Sequence, residues 1–113
     1  MLKSNYSIID ECLIVDLDIV DFNLHNFTYL FSTLAVESKQ TKVILNLESI
    51  EVITSRDIEN IEKIVSILKL NGIDTVVCGI NPYSASVIFS FIDNINFYTA
   101  LDIRGAFDTF STK

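Results

Sequence analysis

The feature that most constrains this chain is one change of period at Asn71–Gly72. Upstream, Ile58, Ile61, Ile64, Val65 and Leu68 recur at three- and four-residue intervals, with Glu59, Glu62, Lys63, Ser66 and Lys69 on the opposite side. That is the stripe of an amphipathic helix with one face to bury. Downstream, DTVVCGI is a short, β-branched run with strand character. Between them, NG supplies the left-handed stop that ends a helix. A helix that leads by a tight stop into a strand is half of a crossover unit.

The same alternation runs through the rest of the sequence. YSIID and CLIVDLD read as a strand pair joined by a polar turn at Asp10 and Glu11. From Phe22, the positions Phe27, Leu30, Phe31 and Leu34 follow helical spacing, with Asp21 or Asn23 as N-cap and ESKQT as the exit. KVILNL returns to strand character and is apolar enough to be covered on both faces. In NPYSASVIFSFIDN, Asn81 suits the N-cap of a helix and Pro82 its first position. A short strand FYTA and a helix from Asp102 to about Phe110 complete the order β-β-α-β-α-β-α-β-α. This order implies an α/β fold, a mixed and mainly parallel sheet of about five strands covered by four helices. A chain of 113 residues without linker or repeat suits a single domain over 1–113.

Composition and residue inventory exclude several function classes. Half of the residues are hydrophobic and 20% are charged, so burial can offset the ordering entropy. A net charge of −7 opposes a nucleic-acid partner, whose backbone needs a basic surface. Cys12 and Cys78 stand alone in strand-like surroundings, as buried free thiols of a reducing compartment do, and a cytoplasmic location is expected. No stretch reaches the ~20 apolar residues of a membrane span, and MLKSNYSIIDE lacks the run of a signal peptide. His25 is the single histidine, so neither a Cys-His pair nor a metal site has ligands at usable spacing. Gly72, Gly79 and Gly105 are too few and too scattered for a phosphate-cradling loop. The expectation is no catalytic centre, no cofactor and no metal.

Two places carry more than packing. In EVITSRDIEN, Thr54 and Asp57 spell a T-x-x-D capping box, which leaves Ser55 at the first helical position with its hydroxyl toward solvent. In the helix that follows Pro82, Ala85, Ile88, Phe89 and Ile92 share one face, while Val87 and Phe91 fall on the other. Two apolar residues one turn apart suit either a contact surface or packing under a neighbouring loop.

The run VILNLESIEVITSRDIENIEKIVSILKLNGIDTVVCGINPYSA, with TALDIRGAFDTF after it, resembles the STAS domain of the anti-sigma-factor antagonist class. Within that class the likeness is to single-domain stressosome scaffolds of the RsbS type, and it covers residues 42–110. CGINP matches the family's GI-x-P turn, and ALDIRGAF its AL-x-x-x-G entry to the last helix. The resemblance implies a non-enzymatic regulator, phosphorylated by a serine/threonine kinase on the hydroxyl of an Asp-Ser or Asp-Thr pair. Ser55 falls on that hydroxyl and Thr54 on the usual Asp, with Arg56 beside them as a phosphate or kinase contact. The implied partners are multidomain RsbR-type paralogues, an RsbT-type kinase and a PP2C-type phosphatase in a large cytoplasmic assembly, with Val87 and Phe91 as assembly surface. The alternatives are an anti-anti-sigma factor acting directly on an anti-sigma kinase, a transporter accessory subunit, and an enzyme with a cofactor or pocket.

Overall fold

The structure, a computed structural model, describes residues 2–91 and 95–112, with the side chains of 87–91 and 112 outside that description. A five-stranded sheet runs in the order β1 (Asn5–Ile9), β2 (Cys12–Asp16), β3 (Lys42–Asn46), β4 (Asp74–Cys78) and β5 (Tyr98–Ala100). β1 pairs with β2 antiparallel, and every later pairing is parallel. Asp10 and Glu11 form the hairpin turn with φ of 51° and 63°, the left-handed pair that matches the twist of the flanking strands. The helices are α1 (Ile19–Phe22), α2 (Phe27–Glu37), α3 (Ser55–Leu70), α4 (Pro82–Phe91) and α5 (Ile103–Thr112).

Alternation within the strands sends side chains to two separate cores. Leu13, Val15, Val43, Leu45 and Val77 pack with Phe27, Phe31 and Ala35 of α2 and with Ile58, Ile61, Ile64 and Leu68 of α3. Cys12, Ile14, Ile44, Val76 and Cys78 point the other way and meet Ala106, Ile103, Phe107 and Phe110 of α5. Parallel strands laid down one after another in one direction, with crossovers of one hand, put the connecting helices on one face. The face left over is covered by α5.

The expected first helix is two. Asp18 caps the single turn α1 by accepting from the Val20 amide at 2.8 Å, and α2 starts afresh at Phe27, where Asn26 makes no side-chain cap. Neither Asp21 nor Asn23 caps the longer helix, so the described residues form five helices rather than four. The physical reason is that Asp21 is engaged elsewhere. Its buried carboxylate accepts from the Ser4 amide at 2.5 Å and the Ser4 hydroxyl at 2.7 Å, and the same hydroxyl accepts from the Asp18 amide at 2.9 Å. Phe22 then meets Phe27 edge-on, with ring centroids 5.5 Å apart.

Burial alone would raise the Asp21 carboxyl, but hydrogen bonds from Lys3 and Ser4 and the Lys3 charge outweigh it and hold it below its ordinary value. A depressed carboxylate adds stability above the unfolded pKa, and the gain is lost as pH falls through the folded one.

At the carbonyl ends of the strands, Asn46 is the hub. Its amide donates to Asp16 at 2.7 Å, and its oxygen accepts from the Glu48 amide at 3.2 Å. Gly79 passes against this hub with φ of +77°, and a Cβ there would lie 2.4 Å from Asn46 Oδ1 and 2.9 Å from the Glu48 nitrogen. Gly72 has φ of +76° but nothing within 4 Å of a Cβ.

Two outcomes follow for stability. Ser4→Ala lowers unfolding free energy at pH 7 by about 1–3 kcal/mol, because it leaves a buried carboxylate short of a donor, and denaturant titrations show the deficit shrinking below about pH 4. Gly72→Ala costs about 1–2 kcal/mol from its backbone conformation alone; Gly79→Ala costs more, since the same conformation is joined by a clash with Asn46.

Candidate functional site

The segment between β3 and α3 is held by its apolar residues and exposes the rest. Leu47, Ile50 and Ile53 are buried, the Leu47 amide donates to the Cys78 carbonyl at 2.9 Å, and the Ile50 amide donates to the Leu47 carbonyl at 2.9 Å. Glu48, Ser49, Glu51 and Val52 lie between these anchors and face solvent.

Thr54 closes the segment with extended backbone (φ −94°, ψ 168°) and begins α3. Its hydroxyl accepts from the Asp57 amide at 3.2 Å, while the Asp57 carboxylate accepts from the Thr54 amide at 2.9 Å. This reciprocal capping box satisfies two amides that would otherwise lack partners at the helix start. Ser55 occupies the first helical position, is exposed, and makes no side-chain hydrogen bond among the described residues. Thr54 carries the cap; the Ser55 hydroxyl is left over.

Arg56 is exposed beside it. With His25, Asn23, Asn60 and Asp57 it lines a polar recess of about 410 Å³ between the first turn of α3 and the connection from α1 to α2. Thr54, Ser55, Arg56 and Asp57 thus share one exposed corner. The side chains of Val87 and Phe91, expected to form an assembly surface, lie outside the described residues.

Other chemistry finds little footing. Among the described residues no cluster of three His, Cys, Asp or Glu side chains could hold a metal ion. Burial pushes the Cys12 thiol up to about 11, against the Lys42 charge and a hydrogen bond from Ile44. Burial, reinforced by Asp102, Asp16 and Glu48, pushes Cys78 up to about 12. Both stay protonated at neutral pH, and the thiol is the poorer nucleophile. An open groove of about 640 Å³ between α2 and α3 is lined by Tyr29, Ser32, Val36 and Ile67, with His25 and Glu37 also on its walls.

Sequence reading missed the tie that holds this corner to α4. Asn81 caps α4 by accepting from the Ser84 amide at 2.8 Å, but its side-chain amide also donates to the Glu51 carbonyl. The buried Ser84 hydroxyl accepts from the Ile53 amide at 3.3 Å and donates to the Glu51 carbonyl at 3.4 Å. These partners lie about thirty residues apart in the chain, beyond any local pattern; the only local signal is the cap itself.

No protein-family profile matches the sequence, and no curated protein does. Solved structures do. An RsbS variant from Moorella thermoacetica aligns with a TM-score of 0.72 at 16% identity, over 97% of this chain and 96% of that one. A structure described as the molecular architecture of the stressosome, a signal integration and transduction hub, gives 0.74 at 17% identity, over 96% of each chain. A Thermotoga maritima protein, described as a candidate anti-sigma factor antagonist, gives 0.68 at 18% identity, over 94% and 92%. The likeness establishes the fold, which is the STAS fold of RsbS.

The division between the hydroxyls has a direct check. Thr54→Ala destabilises the chain by about 1 kcal/mol through loss of the cap, Thr54→Ser restores most of it, and Ser55→Ala stays within about 0.5 kcal/mol of wild type. Equilibrium denaturation of the three variants measures all of these.

Proposed function

We propose that this STAS-fold chain is a non-enzymatic regulatory scaffold of a stressosome-like assembly, which sequesters a serine/threonine kinase and releases it on phosphorylation of Ser55. The observation that carries the reading is the exposed Ser55 hydroxyl at the start of α3, free of the capping duty that Thr54 performs. Modifying it breaks no side-chain hydrogen bond among the described residues. The partners proposed are RsbR-type multidomain paralogues in the assembly, an RsbT-type kinase as the sequestered enzyme, and a PP2C-type phosphatase to reset the site. The setting proposed is the cytoplasm, and among the described residues no helix is long and apolar enough to cross a membrane.

The switch follows from electrostatics. A phosphate adds about −1.5 to −2 charges at a helix N-terminus, where free amides and the helix dipole favour an anion. The folded chain therefore tolerates it, and Arg56 stands next to it. A docked partner meets a different surface: Glu59 lies one turn along the same face of α3 and Glu51 is exposed just before it, so the new charge joins like charges. Repulsion from an acidic kinase surface, or the cost of desolvating the phosphate against an apolar one, is sufficient for release.

A second reading has one observation in its favour, the Thermotoga maritima neighbour described as a candidate anti-sigma factor antagonist. In that reading the same hydroxyl is the switch, but the chain acts alone on an anti-sigma kinase. Light scattering of the chain mixed with its paralogues separates the two, because only the scaffold enters a large particle.

The test uses an RsbT-type kinase from the same organism. Wild-type chain retains the kinase without ATP, acquires one phosphate at Ser55 by mass spectrometry when ATP is added, and then lets the kinase go. Ser55→Ala retains it under both conditions. Ser55→Glu fails to retain it, yet melts no lower than wild type, because a carboxylate in the first turn of a helix stabilises by about 0.3–1 kcal/mol. An unmodified Ser55, or retention indifferent to these changes, refutes the proposal.

A further inference from the structure

We infer that Asn81 and Ser84 are positioning residues for Ser55: they clamp the segment that leads into it, so that a kinase meets one preset extended shape. The inference rests on the reading of Ser55 as the phosphoacceptor. An N-cap for α4 needs only the bond from the Ser84 amide to Asn81 Oδ1. The structure builds three more. Asn81 donates its amide to the Glu51 carbonyl, and Ser84 uses both faces of its hydroxyl, accepting from the Ile53 amide and donating to the Glu51 carbonyl. None of the three is required by the helix they start from.

Their targets explain them. The Glu51 carbonyl and the Ile53 amide flank Val52 and are both gripped by the start of α4, as one strand grips another. Val52 is left projecting with 63% of its surface exposed, while the Ile53 side chain is buried at 3%. Thr54 follows in extended conformation and locks into the capping box. The approach to Ser55 is therefore fixed at Glu51, Ile53 and Thr54, each by a named bond, with Val52 presented outward between them. Ser84 is itself 2% exposed, and the groups its hydroxyl meets, the Ile53 amide and the Glu51 carbonyl, both belong to this segment. A kinase that docks on this corner finds the conformational entropy of the acceptor segment already removed, as a preorganised ligand does.

The experiment compares full-length wild type, Asn81→Ser and Ser84→Ala. Serine keeps a capping oxygen for α4 but is too short to span to Glu51; alanine removes the hydroxyl that holds Ile53. Circular dichroism and melting curves confirm the folds, and if Ser84→Ala loses its own, Asn81→Ser carries the test. Amide hydrogen exchange reads the clamp directly, with at least ~10-fold faster exchange at Ile53 expected in either variant. Phosphorylation by the kinase and ATP of the assay above reads its purpose: kcat/KM for Ser55 falls ~10-fold, mainly through KM, since the ready-made shape aids docking rather than the chemical step. Undisturbed exchange at Ile53 overturns the inference. So does released exchange with an unchanged KM, while wild type is still phosphorylated and the functional reading stands. A wild-type chain that takes no phosphate at Ser55 overturns both together.

Discussion

Burial of the central strands on both faces is the constraint on which everything else depends. β2, β3 and β4 expose almost nothing: four of five residues in each are buried, and alternate side chains go to different cores. Such strands cannot stand at a water interface, so each face needs a helical cover. One face takes α2 and α3 as a matter of connectivity, because parallel neighbours must be joined by crossovers. The other face has α5 among the described residues. The position of Ser55 is a result of the same constraint: the chain leaves β3 at its carbonyl end, must turn across the rim, and starts α3 there.

That rim is a hydrogen-bonded structure. Leu17, Leu47 and Gly79 extend the parallel ladders past the strand ends, through their amides, to the carbonyls of Asn46, Cys78 and Leu101 at 3.0, 2.9 and 3.2 Å. Asn46 ties Asp16 to Glu48 beneath them. The corner that carries Thr54 and Ser55 is thus mounted on a stiff edge, and the Asn81 and Ser84 bonds fasten it from the side. Exposure here does not mean looseness. The hydroxyl is open to solvent, while the backbone behind it is held at Glu51, Ile53 and Thr54 by hydrogen bonds.

What the sequence discloses is what local pattern can encode. The period change at Asn71–Gly72 and the both-face hydrophobicity of KVILNL suffice for the α/β order, since each signal lies within a dozen residues. The capping box is readable for the same reason: two side chains and two amides within four residues. The break between α1 and α2 is not readable, because it depends on Asp21 turning to Ser4, seventeen residues upstream, whereas the local spacing of Phe22 and Phe27 looks like one continuous helix. Asn81 is half readable. Its cap is spelled by the following proline, but its grip on Glu51 is a contact thirty residues away.

The placement of α5 sets the timing of folding. It follows all five strands in the order, and among the described residues it is the helix that packs on Cys12, Ile14, Ile44, Val76 and Cys78. A ribosome making the chain from its N-terminus has therefore produced all five strands and both α2 and α3 before the helix that packs on this second face. Until Ile103 onward emerges, that side is an apolar surface open to water and to other nascent chains, the kind of surface that chaperones hold. The first layer can assemble as it is made, but the second core closes only when α5 arrives.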